Sequence, residues 1–384
     1  MTHTLHFSLK TDIVYGPGLL DRLEDFRGQR IGIITDAVMV SSGALERIRA
    51  RLPDCVVTVF ADVAPETPLG VIMKGTACLA EFAPDVIIAL GGGSSMDTAK
   101  AIRASLREID GSKRIILIAV PTTSGTGSEV TNYTVVSDPE QGRKYPLCSD
   151  DILPDIALLD PELVKSVPPH ITADTGMDAI THGLEAYVST KASDFTDAFV
   201  EKALDLAFSS LPLAYADGND LRAREAMHHA SCMAGIAFNA AGLGLAHALA
   251  HAIGGRFHIS HGRINAMLLP HVIEFNAGIY NSSVASSASC LVTAKRYSAI
   301  GRRLGIESPT VKGGAKNLAR AVSRLNARLS IPATLKALGI DMAEYARGEE
   351  ELIQSALADT CLATNPLKPA SEDIKALIRT LAGN

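Results

Sequence analysis

Asp178 and His182 stand four residues apart in Thr175-Gly-Met-Asp-Ala-Ile-Thr-His-Gly-Leu-Glu185, and His247 and His251 four apart in Leu243-Gly-Leu-Ala-His-Ala-Leu-Ala-His-Ala-Ile253. Residues at that spacing share a helix face, so each pair can offer two ligands to one ion. His258 and His261 follow after Gly254-Gly255. Singly, such an Asp-His pair is usually a surface hydrogen bond, and a histidine on an apolar face is usually a satisfied core residue. One carboxylate and several imidazoles on neighbouring helical segments reverse that reading. They suit iron(II), zinc or manganese rather than calcium, and no thiolate is placed to favour a structural zinc. Spacing alone leaves open which three histidines ligate.

A second chemistry belongs to two loops. Asp85-Val-Ile-Ile-Ala-Leu90 reads as a buried strand, followed by Gly91-Gly92-Gly93-Ser94-Ser95 and a helix from about Met96 to Ser105. Glycines let a ligand approach the backbone, and a helix N-terminus offers N–H groups to a phosphate. The spacing departs from G-x-G-x-x-G, so a simple tight turn is the competing reading. Pro121-Thr-Thr-Ser-Gly-Thr-Gly-Ser-Glu129 leaves the next strand with Thr122, Thr123, Ser124 and Thr126, hydroxyls suited to phosphate, ribose or carboxamide. Ligands of open α/β sheets bind at such strand ends. Asp36, ending an earlier strand, can accept from a ribose hydroxyl and would repel a 2′-phosphate, which favours NAD over NADP; capping a helix is its competing role.

These residues need elements to hold them. From Phe7 to about Asp160, short β-branched runs alternate with helical stretches, with strands expected at Arg30–Thr35, Cys55–Phe60, Asp85–Leu90 and Arg114–Val120. That pattern reads as a Rossmann-like, doubly wound parallel sheet. After Val164–Ile171 the spacing turns helical through Thr172–Leu213, Asp220–Asn239 and Leu243–Ile253, while Asn276–Leu291 reads as a mobile loop or frayed helix end. With 384 residues, two domains are expected, an α/β domain at 1–168 and an all-helical one at 169–384. A net charge of −6 points to a small-molecule partner rather than nucleic acid. The N-terminus lacks a secretory pattern, no stretch reads as a membrane span, and six scattered cysteines fit a reducing cytoplasm.

Together, Gly91–Asp97, Pro121–Glu129, Gly176–Ala186 and Gly242–Gly262 resemble the iron-containing, group III alcohol dehydrogenases, along a chain matched from Tyr15-Gly-Pro-Gly18 to Thr364-Asn-Pro366. The resemblance implies a dehydroquinate synthase-like fold and a metal, iron(II) or zinc, held by Asp178, His182, His247 and His261. It places His251 behind the ligands as a proton relay, and His258 outside them. It also implies NAD(H) contacts from Asp36, Gly92, Gly93, Ser94, Thr122, Thr123, Thr131 and Lys144, to which the loops add Gly91, Ser95, Ser124 and Thr126. Ser260 stands where a proline often precedes the last ligand. Lys144-Tyr-Pro-Leu147, Ser193–Asp197 and Phe257-His-Ile259 are similar to family members that reduce short aldehydes inside bacterial microcompartments. A homodimer or larger homo-oligomer, and contact with shell proteins, are expected on that basis. Two rival readings are a zinc-dependent polyol dehydrogenase and a non-catalytic scaffold or filament subunit. Arg256 and Arg263 are candidates for a clamp on an anionic aldehyde, against a plain surface role.

Overall fold

The computed structural model describes residues 6–138, 143–280 and 287–383, with the side chains of Arg143 and Lys144 outside the description. Eight strands are described: β1 (Asp12–Tyr15), β2 (Arg30–Ile34), β3 (Val56–Phe60), β4 (Val86–Gly91), β5 (Ile116–Pro121), β6 (Tyr133–Asp138), β7 (Arg143–Cys148) and β8 (Ile156–Leu159). The first helices are α1 (Ala37–Ser41), α2 (Ala44–Arg49), α3 (Leu69–Phe82) and α4 (Gly93–Ile109). Nine more follow: α5 (Pro169–Val188), α6 (Asp194–Ala216), α7 (Leu221–Ala241), α8 (Leu245–Phe257), α9 (His261–Asn276), α10 (Ala288–Arg303), α11 (Val311–Arg328), α12 (Met342–Ala358) and α13 (Ser371–Ala382).

Six strands form a parallel sheet in the order β1-β8-β5-β4-β2-β3, and β6 and β7 form a separate antiparallel pair. Parallel strands covered on both faces read as continuous apolar runs. β4 obeys this: Val86, Ile88 and Leu90 enter one core with Leu23, Ile31 and Ile48, while Ile87 and Ala89 enter the other with Leu79 and Ile102. From β2 the chain passes to β3 on one side and returns to β4 on the other, so the winding reverses between β2 and β4. The crevice at such a reversal is where open α/β sheets bind ligands.

The chain forms two compact units. One is Ser8–Val167 with Gly218–Gly235; the other is Pro168–Asp217 and Ile236–Asn384, with the N-terminal residues through Phe7. The second unit is helical. Its expected run Thr172–Leu213 is two helices: α5 ends at Val188, where Ser189 leaves helical geometry, and Ser193 opens α6 through a capping box with Thr196. The stretch Asn276–Leu291, expected as a loop or frayed helix end, spans a helix end and a helix start. Asn276 closes α9 and Ala288–Leu291 opens α10, capped by Ser287; residues 281–286 lie outside the described ones. Helix α4 begins at Gly93 rather than Met96, its first turn running through Gly93-Ser94-Ser95.

Candidate active site

Helix α5 is buried along almost its whole length, which is why Asp178 and His182, one turn apart, both face inward. Helix α8, apolar but for its histidines and Arg256 in the last turn, brings His247, and α9 begins at His261. His247 Nε2 and His261 Nε2 each lie 3.8 Å from Asp178 Oδ1, and His182 Nε2 lies 3.9 Å from Asp178 Oδ2. The ligand atoms of Asp178, His247 and His261 all fall within 4.8 Å of one another. His182 approaches the other carboxylate oxygen and stacks on His247, with ring centroids 4.7 Å apart, and on Phe238 at 4.4 Å.

Separations of 3.8–3.9 Å are too long for hydrogen bonds. Two atoms each about 2.1 Å from one ion stand at most about 4.2 Å apart, so these distances suit shared coordination. His247 Nε2 is buried without a hydrogen-bond partner, an orphan that a metal would satisfy. The charge states fit as well. Burial, then the neighbouring histidines, holds His247 well below its ordinary value. The His261 side chain is two-fifths exposed, yet desolvation pushes it down to about 3 against the pull of Asp178. Burial would raise the Asp178 carboxyl, but the histidines and Asn265 outweigh it and hold it lowered. One carboxylate among neutral imidazoles is the donor set a divalent ion requires.

Close packing fixes this geometry. A Cβ on Gly262 would stand 2.2 Å from the Asp174 carbonyl oxygen, so glycine alone lets the start of α9 approach α5. Asn265 donates through Nδ2 to Asp178 Oδ1 at 2.8 Å. Glu185, one turn beyond His182, meets His247 Nδ1 through Oε2 at 2.6 Å. His251 stacks on His261 at 5.1 Å and meets Asp359 Oδ2 through Nδ1 at 2.8 Å. Burial would raise Asp359, but His251 and the Cys361 amide hold it at about 2. His258 is the exposed left-handed residue closing α8. Neither candidate clamp arginine is free: Arg256 pairs with Glu351, and Arg263 Nε donates to buried Asp174 at 3.0 Å.

The other unit assembles the loops at the sheet reversal. Gly91 has φ 145°, and Gly92 stands at the α4 N-terminus without a side-chain cap. Thr122 N donates to Gly91 O at 2.9 Å, and a Cβ on Gly93 would touch Thr126, so the two loops lie against each other. Asp36 does cap α1, its Oδ1 accepting from the Val38 and Met39 amides. Its Oδ2 faces Ser95 Oγ at 3.2 Å, which sets the carboxylate beside the glycine loop. Asp36, Gly92, Gly93, Ser94, Thr123, Ser124 and Thr126 are partly exposed and can meet a ligand, whereas Gly91, Ser95, Thr122 and Thr131 are buried. The Thr131 hydroxyl instead accepts from buried Lys100, which also donates to Ser128 Oγ and the Tyr133 carbonyl. Burial pushes Lys100 down to about 8, against Asp97 and Glu129. Ser124 Oγ meets His228 Nδ1 at 2.9 Å. Lys144 lies on β7 opposite Ser137.

The sequence pattern of iron-containing alcohol dehydrogenase matches residues 10–161, and that of the Fe-containing alcohol dehydrogenase family, C-terminal, matches residues 172–382. The chain belongs to the iron-containing alcohol dehydrogenase family. It is therefore an oxidoreductase acting on alcohols, with the dehydroquinate synthase-like fold expected from its motifs. It is 42% identical over 378 residues to a 1-propanol dehydrogenase of Citrobacter freundii, covering 98% of this chain and 99% of that one. The iron-containing alcohol dehydrogenase of Thermococcus thioreducens superposes with a TM-score of 0.86 at 34% identity, covering 99% of this chain and 100% of that one. A sulfoacetaldehyde reductase of Bifidobacterium kashiwanohense, solved in complex with NAD+, superposes with a TM-score of 0.85 at 26% identity over the whole of both chains.

Within this iron-containing alcohol dehydrogenase, sequence reading missed Glu185, Asn265, Asp359 and Cys361. Glu185 had a usable signal, since it follows His182 by three residues on the same helix face. Asp359 had none, being 108 residues from the histidine it holds.

Proposed function

We propose that this chain interconverts short, uncharged primary alcohols and aldehydes with NAD(H), using one iron(II) held by Asp178, His182, His247 and His261. The observation that carries this is the convergence of Asp178, His247 and His261 around the orphaned His247 Nε2. A divalent ion in that cluster supplies Lewis-acid polarisation of a substrate oxygen, and a nicotinamide supplies or receives the hydride. The chain's residues do the rest. Gly92, Gly93 and Ser94 receive the pyrophosphate at the α4 N-terminus, Asp36 takes the ribose, and Thr123, Ser124 and Thr126 line the adjoining loop. His251, with Nδ1 committed to Asp359, exchanges a proton with the substrate oxygen through Nε2, directly or through water.

An uncharged substrate is favoured because Arg256 and Arg263 are both engaged by carboxylates. The test is a substrate panel with NADH and anaerobically added iron(II). Propanal and acetaldehyde turn over, and sulfoacetaldehyde is at least about tenfold poorer in kcat/KM, the equivalent of about 1.4 kcal/mol. Preference for sulfoacetaldehyde would overturn the substrate assignment. We extend the reading to a cytoplasmic homodimer carried in a bacterial microcompartment, on the resemblance through Lys144–Leu147 and Ser193–Asp197. Co-sedimentation with purified shells, and mass in solution, check that extension.

A further inference from the structure

We propose that Glu185 is a positioning residue that fixes the tautomer of His247, holding its proton on Nδ1 so that Nε2 faces the metal as a lone pair. The inference rests on the metal assignment above.

Glu185 is 2% exposed, and its two oxygens meet two backbone N–H donors and one ring nitrogen of His247. Oε2 accepts from Gly244 N at 2.8 Å and lies 2.6 Å from His247 Nδ1, and Oε1 accepts from Ala246 N at 2.6 Å. The two amides lie at the start of α8, where Gly244 brings no capping side chain; Asn365 Oδ1 takes the Leu245 amide between them. Backbone N–H groups can only donate, so the oxygens facing them must accept. The carboxylate is therefore oriented by α8 itself. In its ionised form Glu185 turns its remaining Oε2 lone pair to His247 Nδ1, which places the proton on that nitrogen. Neutral imidazole has one N–H, so Nε2 is left bare, and it is the buried atom without a partner. Partners of this kind orient ligand histidines, and their loss typically weakens metal binding about 10–100-fold.

A glutamine cannot reproduce the arrangement. Its NH2 must oppose either the Ala246 amide or the Gly244 amide, and in the second case it donates to Nδ1 and drives the proton to Nε2. The experiment combines 15N spectra of histidine-labelled, metal-free protein with iron(II) and zinc affinities from chelator competition. His247→Gln assigns the resonance, and native and Glu185→Gln chains are compared. The native chain shows His247 protonated on Nδ1, and Glu185→Gln binds metal at least about tenfold more weakly with its helical circular dichroism intact. Asn365→Ser, which loosens the same helix end without touching His247, lowers stability and leaves metal affinity unchanged. A native His247 protonated on Nε2, or native-like affinity in Glu185→Gln, overturns the proposal. The tautomer is read in the native chain, so the outcome does not depend on the variant folding. A native chain that binds neither ion overturns the functional reading, and the tautomer then decides the role of Glu185 separately.

Discussion

Asp36 divides its carboxylate between two tasks, capping α1 with Oδ1 and facing the glycine loop with Oδ2. Asp36→Asn separates them, since asparagine still caps while the charge is lost. Repulsion of a 2′-phosphate about 6 Å away is of order 1 kcal/mol. Asp36→Asn is accordingly expected to raise the NADPH/NADH ratio of kcat/KM about five- to tenfold with little change in Tm, as initial rates and thermal unfolding will show. Asp359 gives a pH prediction. Its carboxyl is held at about 2 by His251 and the Cys361 amide despite burial. A depressed carboxylate contributes its full stability above the unfolded value of about 4 and loses it as pH falls toward the folded value. The stability difference between native and Asp359→Asn chains should thus be constant above pH ~5 and shrink between pH ~4 and ~2 in urea unfolding. A cluster of candidate ligands was legible because a helix repeats every 3.6 residues and converts D-x-x-x-H and H-x-x-x-H into shared faces, and the family resemblance narrowed it to four. Asp359 was illegible because nothing local ties it to His251.

Elements explain where the periodicity failed. β4 and β5 announce themselves through unbroken apolar runs, but β1 is a four-residue edge strand exposed at both ends, and β8 is equally short. Pairing with a neighbour, not composition, makes them strands. Glycines were legible as punctuation, whereas their reason required contacts. At Gly262 the added Cβ would meet the Asp174 carbonyl carbon at 2.7 Å and Asp178 Cβ at 3.2 Å. Overpacking of this kind costs about 1–3 kcal/mol, and backbone cannot swing aside as a side chain can. Gly262→Ala should therefore fold with lowered stability and move His261 away from Asp178. Chelator competition should show weakened metal binding together with the shift in urea midpoint; unchanged affinity would mean that this contact does not set the ligand spacing.

At the scale of the molecule, the proposed metal ligands all belong to the helical unit, and the glycine loop with Asp36 to the α/β unit. A ligand that binds only the folded state stabilises it by about 2.7 kcal/mol at a hundredfold excess over Kd. Removing the metal is expected to lower the Tm by several degrees and to speed hydrogen exchange in α5, α8 and α9, leaving β2, β4 and β5 protected. NADH should slow exchange around Gly92–Ser94 instead. The two-part character was visible in the sequence as a change from β-branched alternation to helical spacing near Val164–Ile171. That Gly218–Gly235, in the middle of the helical text, joins the α/β unit was not visible. There Gly235 lies against Gly127, where a Cβ on either would approach the other within 3 Å.

The central claim is a single iron(II) on Asp178, His182, His247 and His261 serving alcohol–aldehyde exchange. The most direct test is an anaerobic iron(II) titration of the metal-free chain, following NADH oxidation with propanal beside His247→Ala. Activity is expected to rise in proportion to iron and level at about one equivalent per chain, with none in the variant. Full turnover without metal, or a well-folded native chain inactive at every iron level, would contradict that claim.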